Sequence, residues 1–353
     1  MQTDELADHL FASALGTLDI LSVHIGDRFG LYDVLAVGPL DEAEVARRSG
    51  MHPRYAREWL EQQTVAGLID VDDPARAPES RRYSLPTEHA AVLVDREGLA
   101  FFAPFARLLA AAAIQLPALE EAYRSGGGVG WAAYGDQMRT AQAEANRPLY
   151  LGLLGSEWLP ALPEVHQALT DGGTVADIGC GEGWSSIGMA EAYPAARVDG
   201  FDVDTASIDA ARRHAEERGL GGRVTFHLVD GAGGGDAGSY DLVTAFECVH
   251  DLPDPVSVLA NARRLVRAGG TVLVMDERVP ERFTGPGDPV EQLMYGFSLL
   301  VCLPDGLSHD GSVGTGTVMR PDRLRGYARE AGFVDLEVLS IENDVFRFYR
   351  LFG

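Results

Sequence analysis

The segment Val175-Ala176-Asp177-Ile178-Gly179-Cys180-Gly181-Glu182-Gly183 limits what this chain can fold into more than any other. An apolar run ends in an acid, breaks into three alternating glycines, and opens into Trp184-Ser185-Ser186. Apolar, β-branched residues followed by glycine predict a buried strand, a tight turn and the start of a helix. Glycine lets backbone approach a ligand where a Cβ would clash. The first turn of a helix offers free N–H groups that suit an anionic group. The spacing differs from the G-x-G-x-x-G of dinucleotide sites.

Downstream the pattern repeats. Strands are expected at Val175–Ile178, Arg197–Phe201, Val224–Leu228, Tyr240–Phe246 and Thr271–Met275, with helices at about Ser185–Ala192, Thr205–Arg218 and Pro255–Val266. Alternation of this kind predicts a doubly wound, mostly parallel α/β sheet. Two further runs, Val334–Leu339 and Val345–Leu351, read as a terminal hairpin that adds an antiparallel edge and brings the sheet to seven strands.

Three regions follow from the pattern: 1–97, 98–171 and 172–353. The first opens with helical periodicity (Leu6, Leu10, Ala14, Leu18, Leu21, Ile25). It continues with short helices near 40–50 and 53–66 and two short strands at Leu68–Val71 and Arg82–Leu85, the order of a winged helix. The second region is helical and aromatic, and Gly126-Gly127-Gly128 interrupts it. Its Trp131 and Tyr134, with Met294, Tyr295, Phe297 and Cys302 from later in the chain, are candidates for the wall of a substrate chamber.

Charge narrows the partners. The formal net charge is -24, with Asp and Glu at 53 against 29 basic residues, none of them lysine. Such a chain repels phosphate backbones and anionic membranes. The candidate DNA-reading helix carries Arg54 and Arg57 but also Glu58 and Glu61, so nucleic-acid binding is not expected. Leu99 to Leu116 is broken by Pro104 and Arg107, too short and interrupted to span a bilayer, and no signal peptide is read. Three widely spaced cysteines suggest neither disulfides nor a zinc site, consistent with a reducing cytoplasm.

Each strand tip then supplies a chemical group. Asp202, about 25 residues beyond Asp177, is placed to accept both hydroxyls of a ribose, while Asp204 suits a helix N-cap. Asp230 follows the third strand, where it can accept from an adenine amino group. The fourth strand delivers Glu247, Cys248, His250 and Asp251 to the carboxyl edge, where open α/β sheets bind ligands. His250 is the candidate general base, suited to proton removal near neutral pH, with Asp251 and Asp254 to orient it. His309 is a second candidate, read as a surface loop residue. No metal cluster is expected.

Together these elements resemble the class I S-adenosylmethionine (SAM)-dependent methyltransferases, a resemblance that covers about 172–353. It implies a Rossmann-like sheet and SAM as cofactor, with S-adenosylhomocysteine as product. Asp177, Gly179, Cys180, Gly181 and Gly183 would then face the methionine part and Asp202 the ribose, with Val203 beside it. Asp230 and Gly231 would flank adenine, and Glu247 and Cys248 would lie alongside. The winged-helix front, helical middle and His-Asp pair resemble small-molecule O-methyltransferases that work as homodimers, and actinobacterial winged-helix methyltransferases. In those enzymes the histidine matching His250 deprotonates a hydroxyl. Leu252-Pro253 departs from the aromatic of the plant enzymes, and no second acid is evident. C- and N-methyl transfer, a SAM-binding regulator acting on DNA, and a nicotinamide oxidoreductase are the rival readings. Glycine spacing and the terminal hairpin argue against the last.

Overall fold

A computed structural model describes residues 2–353. The chain divides into two compact units, one up to Ala111 and one from Ala112 to Gly353.

In the first unit, helices Leu31–Ala36, Glu42–Ser49 and Pro53–Val65 precede strands β1 (Asp70–Val71) and β2 (Tyr83–Ser84), which pair antiparallel as a wing. Asp41 starts the second of these helices: its side chain accepts from Glu44 N–H, and Glu44 returns the bond to the Asp41 N–H. That reciprocal cap satisfies two donors a helix start leaves open. Leu31, Tyr32, Leu35, Val45, Leu60, Ile69 and Tyr83 fill the small core. The helix Thr3–Arg28 stays largely outside it. Leu10, Phe11 and Leu18 are 59%, 66% and 62% exposed, an apolar face with no partner within this unit. Among the described residues this is the one helix long and apolar enough to cross a membrane, a property the sequence analysis sought in Leu99–Leu116 instead.

The second unit holds the large sheet. Its strands are β3 (Thr174–Ile178), β4 (Arg197–Asp202), β5 (Val224–Leu228), β6 (Tyr240–Phe246), β7 (Val266–Glu277), β8 (Asp335–Val338) and β9 (Phe346–Phe352). The spatial order is β5-β4-β3-β6-β7-β9-β8. The first five strands run parallel, and β9 pairs antiparallel with both β7 and β8. The expected seven-stranded sheet and antiparallel hairpin are therefore present. Strand β7 is longer than expected at both ends, beginning at Val266 and running past Met275 to Glu277. Order reverses between β3 and β6, a topological switch point, and the crevice at their carboxyl tips is where such sheets take ligands.

Two apolar layers close over the sheet. One gathers Trp158, Ile187, Met189, Ile208, Phe246 and Phe348, and the other Ile178, Val243, Leu259, Val274, Leu324 and Tyr349. The central strands β3 and β6 are buried on both faces, which is why their sequences read as continuous apolar runs. Rigid central strands of this kind fix the positions of the polar groups at their tips.

Candidate active site

The glycine turn follows from its backbone angles. Gly179, Gly181 and Gly183 all have positive φ (69°, 52° and 86°), the left-handed region that side chains disfavour. A Cβ on Gly183 would lie 2.6 Å from Phe226 Cζ, and one on Gly179 would lie 2.8 Å from the Cys248 side chain. Gly181 differs: beyond its two chain neighbours, no protein atom lies within 4 Å of its would-be Cβ. The turn is thus packed on both sides and open in the middle, a cradle that a Cβ at Gly181 would begin to fill.

Asp177 lies beneath this turn. It is buried, and its carboxylate accepts from the hydroxyls of Ser185 (2.6 Å), Ser186 (2.6 Å) and Thr244 (2.7 Å). Burial pushes its pKa up and these three bonds pull against that. With three internal donors on it, Asp177 braces the turn from below, whereas the resemblance set it facing a ligand.

Asp202 closes β4 beside the turn. Its Oδ2 accepts from the Gly181 N–H at 2.9 Å and its Oδ1 from the Asp204 N–H at 2.8 Å. Each carboxylate oxygen keeps a further lone pair for a ligand hydroxyl. Burial raises its pKa against these two bonds. Asp204 caps the helix Thr205–Glu217 through Ser207 N–H and pairs with Arg139 at 2.6 Å, as its expected capping role requires. Val203 is exposed. Asp230 is exposed, with Oδ1 accepting from Ala232 N–H at 2.8 Å, and Gly231 packs against Ile178 and binds Asn261 through its carbonyl.

The tip of β6 is the most unusual backbone in the chain. Glu247 is the one non-glycine residue, among those described, with a positive φ (52°). Its N–H reaches Met275 O at 2.8 Å, and its Oε1 accepts from the Tyr150 hydroxyl at 2.9 Å. Burial, then the nearby Glu277 charge, push its carboxyl up to about 8.

His250 follows. Its Nδ1 lies 2.8 Å from Asp276 Oδ1 and 3.1 Å from Glu277 Oε2, and all three residues are buried. The three donor groups lie close enough to converge on a cation, a grouping the sequence reading did not expect, and at 2.8 Å Nδ1 and Oδ1 also stand at hydrogen-bond length. Burial disfavours the imidazolium, yet the Glu277 and Asp276 charges and the Asp276 hydrogen bond outweigh it and raise the pKa well above the usual histidine range. Glu277 itself is pushed up to about 8 by burial, against the opposing pull of His250. The acids on the imidazole are therefore Asp276 and Glu277, from the end of β7, beyond Met275 where the sequence reading ended the strand. Asp254, offered as an orienting acid, instead caps the helix Pro255–Leu265 through Ser257. Asp251 stays within electrostatic range of His250, with its carboxyl pushed up by burial to about 7.

Of the chamber candidates, Cys302 reaches the centre. Its thiol hydrogen-bonds the His250 imidazole from a π-helical turn, Ser298–Cys302, a distortion frequent at functional sites. Tyr134 is buried with its hydroxyl on Leu300 O at 2.7 Å, and the Trp131 N–H binds Asp305 Oδ1 at 2.7 Å, so both tie this segment in place. Met294 is buried. Tyr295 sits edge-on to Phe283 and is partly exposed, and Phe297 is half-buried. His309 is exposed.

A glycine turn, an acid at the next strand tip and an acid-held histidine thus gather at the carboxyl edge of a Rossmann-like sheet. Residues 175–270 match the methyltransferase domain family, and residues 17–95 match the Rv2258c-like winged HTH domain. The ubiquinone biosynthesis O-methyltransferase of Aromatoleum aromaticum is 33% identical over 183 residues, covering 51% of this chain and 72% of that protein. Its counterpart in Bordetella avium is 31% identical over 59% of this chain and 80% of its own length. Among solved structures, human N-acetylserotonin methyltransferase in complex with SAM superposes with a TM-score of 0.74 at 19% identity, covering 100% of this chain and 99% of that one. Mitomycin 7-O-methyltransferase MmcR gives 0.72 at 17% identity, covering 99% and 98%. These two show the shared fold. The chain belongs to the SAM-dependent O-methyltransferase family.

Proposed function

We propose that the chain methylates a hydroxyl oxygen of a small molecule, with His250 as general base. The observation that carries this is the pair of acids on one ring nitrogen of His250 at the carboxyl edge of the sheet. Donating Nδ1–H to Asp276 favours the tautomer whose lone pair is on Nε2, the nitrogen that takes a proton from an acceptor, and the Cys302 thiol also bonds this ring. The carboxylates then stabilise the imidazolium that forms. One solved structure of the same fold, an O-methyltransferase from neocarzinostatin biosynthesis, is in complex with SAM and a hydroxynaphthoic acid.

SAM, when bound, supplies a methyl group made electrophilic by its sulfonium. Everything else falls to the chain. The turn at Gly181 admits close backbone approach and Asp202 offers acceptors for a sugar diol. Gly231 and Asp230, beyond the tip of β5, are the candidates to flank the adenine. Much of the rate then comes from holding acceptor and methyl group in line. Trp131, Tyr134, Met294, Tyr295, Phe297 and Cys302 stand as the acceptor side of the chamber.

The exposed apolar face of Thr3–Arg28 supports a homodimer, because water rarely faces a stripe of that size on a monomer. A DNA-binding role is disfavoured by ion pairing: Arg54 is taken by Glu58, and Arg57 by Glu42. Three free cysteines suit a reducing, cytoplasmic setting.

The deciding experiment is calorimetry with SAM and S-adenosylhomocysteine, followed by turnover on a panel of hydroxylated aromatics. Binding of both ligands with methyl transfer to oxygen supports the reading. A chain that binds neither ligand removes it, and transfer only to nitrogen or carbon moves it to the rival chemistry.

A further inference from the structure

Glu247 is held in a way that the proposed chemistry does not use. It carries a side chain in a backbone region where one is uncommon, at the tip of a central strand. Strain of that kind persists only where the surroundings enforce it. Here they do. The Tyr150 hydroxyl and the Asn146 side chain bind the carboxyl group from the helix Trp131–Gly152, and the Glu247 N–H is tied to Met275 O of β7. The next residue, Cys248, packs directly against Gly179, so this segment forms one wall of the crevice over the glycine turn. Glu247 itself is half-buried at the edge of this wall.

Its charged surroundings are lopsided. Glu277 of β7 faces it, opposed by His250 of its own loop. Burial and Glu277 leave the carboxyl as a neutral acid at neutral pH in the ligand-free chain. A cation arriving in the crevice reverses that balance, because an opposite charge close by favours the ionised form. The methyl donor carries such a charge on sulfur. Its product has lost it and is otherwise the same molecule.

We infer that Glu247 distinguishes the cationic methyl donor from its neutral product, acting as the counter-charge of the sulfonium and releasing its proton to solvent when the donor binds. Before transfer the site holds a carboxylate opposite a cation. After transfer the cation is gone, the buried carboxylate has lost its counter-charge, and it regains a proton as the product departs. Glu247 is thus a discriminating residue for donor over product, and no bond to it forms or breaks beyond that O–H. The inference rests on the SAM reading above.

Calorimetry tests it without turnover. SAM and S-adenosylhomocysteine are titrated into the full chain at neutral pH in phosphate and in Tris, whose different ionisation heats report protons released. Asp202 can also titrate on binding, but it faces the ribose that both ligands share, so the difference between ligands isolates the sulfonium. The expected result is roughly one proton more released with SAM than with S-adenosylhomocysteine, and a preference for SAM that falls about tenfold in Glu247→Gln. Glu247→Asp should keep the extra proton. Tyr150→Phe removes a bond that favours the ionised carboxylate, so the extra release should persist to higher pH than in the unaltered chain, and an unshifted pH range there overturns the inference if Glu247→Gln does not fold. Equal proton release for both ligands in the unaltered chain overturns the inference. So does extra release that survives in folded Glu247→Gln. Failure of both ligands to bind instead sinks the SAM reading itself.

Discussion

The carboxylate of Asp276 lies 2.8 Å from Nδ1 of His250, and Glu277, its neighbour on β7, lies 3.1 Å from the same nitrogen. Two acids on one imidazole raise its proton affinity. A base of raised pKa is active only once deprotonated, so methyl transfer should climb with pH above the usual histidine range before it levels off. Asp276→Asn removes one charge that lifts the imidazole. The acid limb of the kcat profile should therefore move to lower pH, while the plateau drops because the ring loses its orienting partner. His250→Ala should lower kcat by about 10²- to 10⁴-fold, with SAM affinity nearly intact by calorimetry. A variant at His250 with full turnover removes it from the mechanism.

The glycine turn makes a paired prediction. Gly183→Ala drives a Cβ to 2.6 Å from Phe226 in a left-handed backbone, and should destabilise the chain by about 3 kcal/mol. Gly181→Ala meets open space within the protein and should cost only about 1 kcal/mol. SAM affinity should nevertheless fall in Gly181→Ala, because the new methyl group enters the cradle. Denaturant melts read the first effect and calorimetry the second. Unchanged affinity in Gly181→Ala would place the cofactor elsewhere.

Asp202→Ala should weaken SAM and S-adenosylhomocysteine alike by about 10²- to 10⁴-fold, the worth of two hydrogen bonds to a charged acceptor. Burial has raised this carboxyl, so it protonates at a higher pH than a solvent-exposed aspartate. A protonated carboxyl accepts less well, and affinity should already weaken in mildly acidic buffer. Flat affinity across that range would show that Asp202 does not bear on the ligand.

These site predictions rest on residues of uneven legibility. One rule, an acid closing an apolar strand, picks out Asp177, Asp202, Asp230 and Glu247 from the sequence alone. The same rule applied to Val272–Glu277 reaches Asp276 and Glu277, but the reading halted at Met275, where the apolar run ends. Asp177 shows the limit of the rule: it finds the tip residue, but whether the side chain turns inward to Ser185, Ser186 and Thr244 depends on packing that no spacing encodes. The bonds from Tyr150 to Glu247 and from Cys302 to His250 join segments far apart in the chain, so neither leaves a local signal. The sheet was legible almost strand for strand because hydrophobic period and turn glycines are local properties.

The helix Thr3–Arg28 yields the last prediction. Phe11→Glu with Leu18→Glu places charge on its apolar face and should convert a dimer to a monomer by light scattering, with the glycine-turn unit still folded by circular dichroism. A chain that is monomeric before the change shows that this face serves some other contact.

The strand order β7-β9-β8 has a consequence for how the site is made. Asp276 and Glu277 are in register with Arg347 and Phe346 of β9, the latest strand in the chain to be synthesised. On a ribosome the glycine turn can form early, while the acids that steady the histidine wait for the final strand to slot in beside them. Nascent chains should therefore acquire a ligand-holding surface well before they acquire catalytic competence.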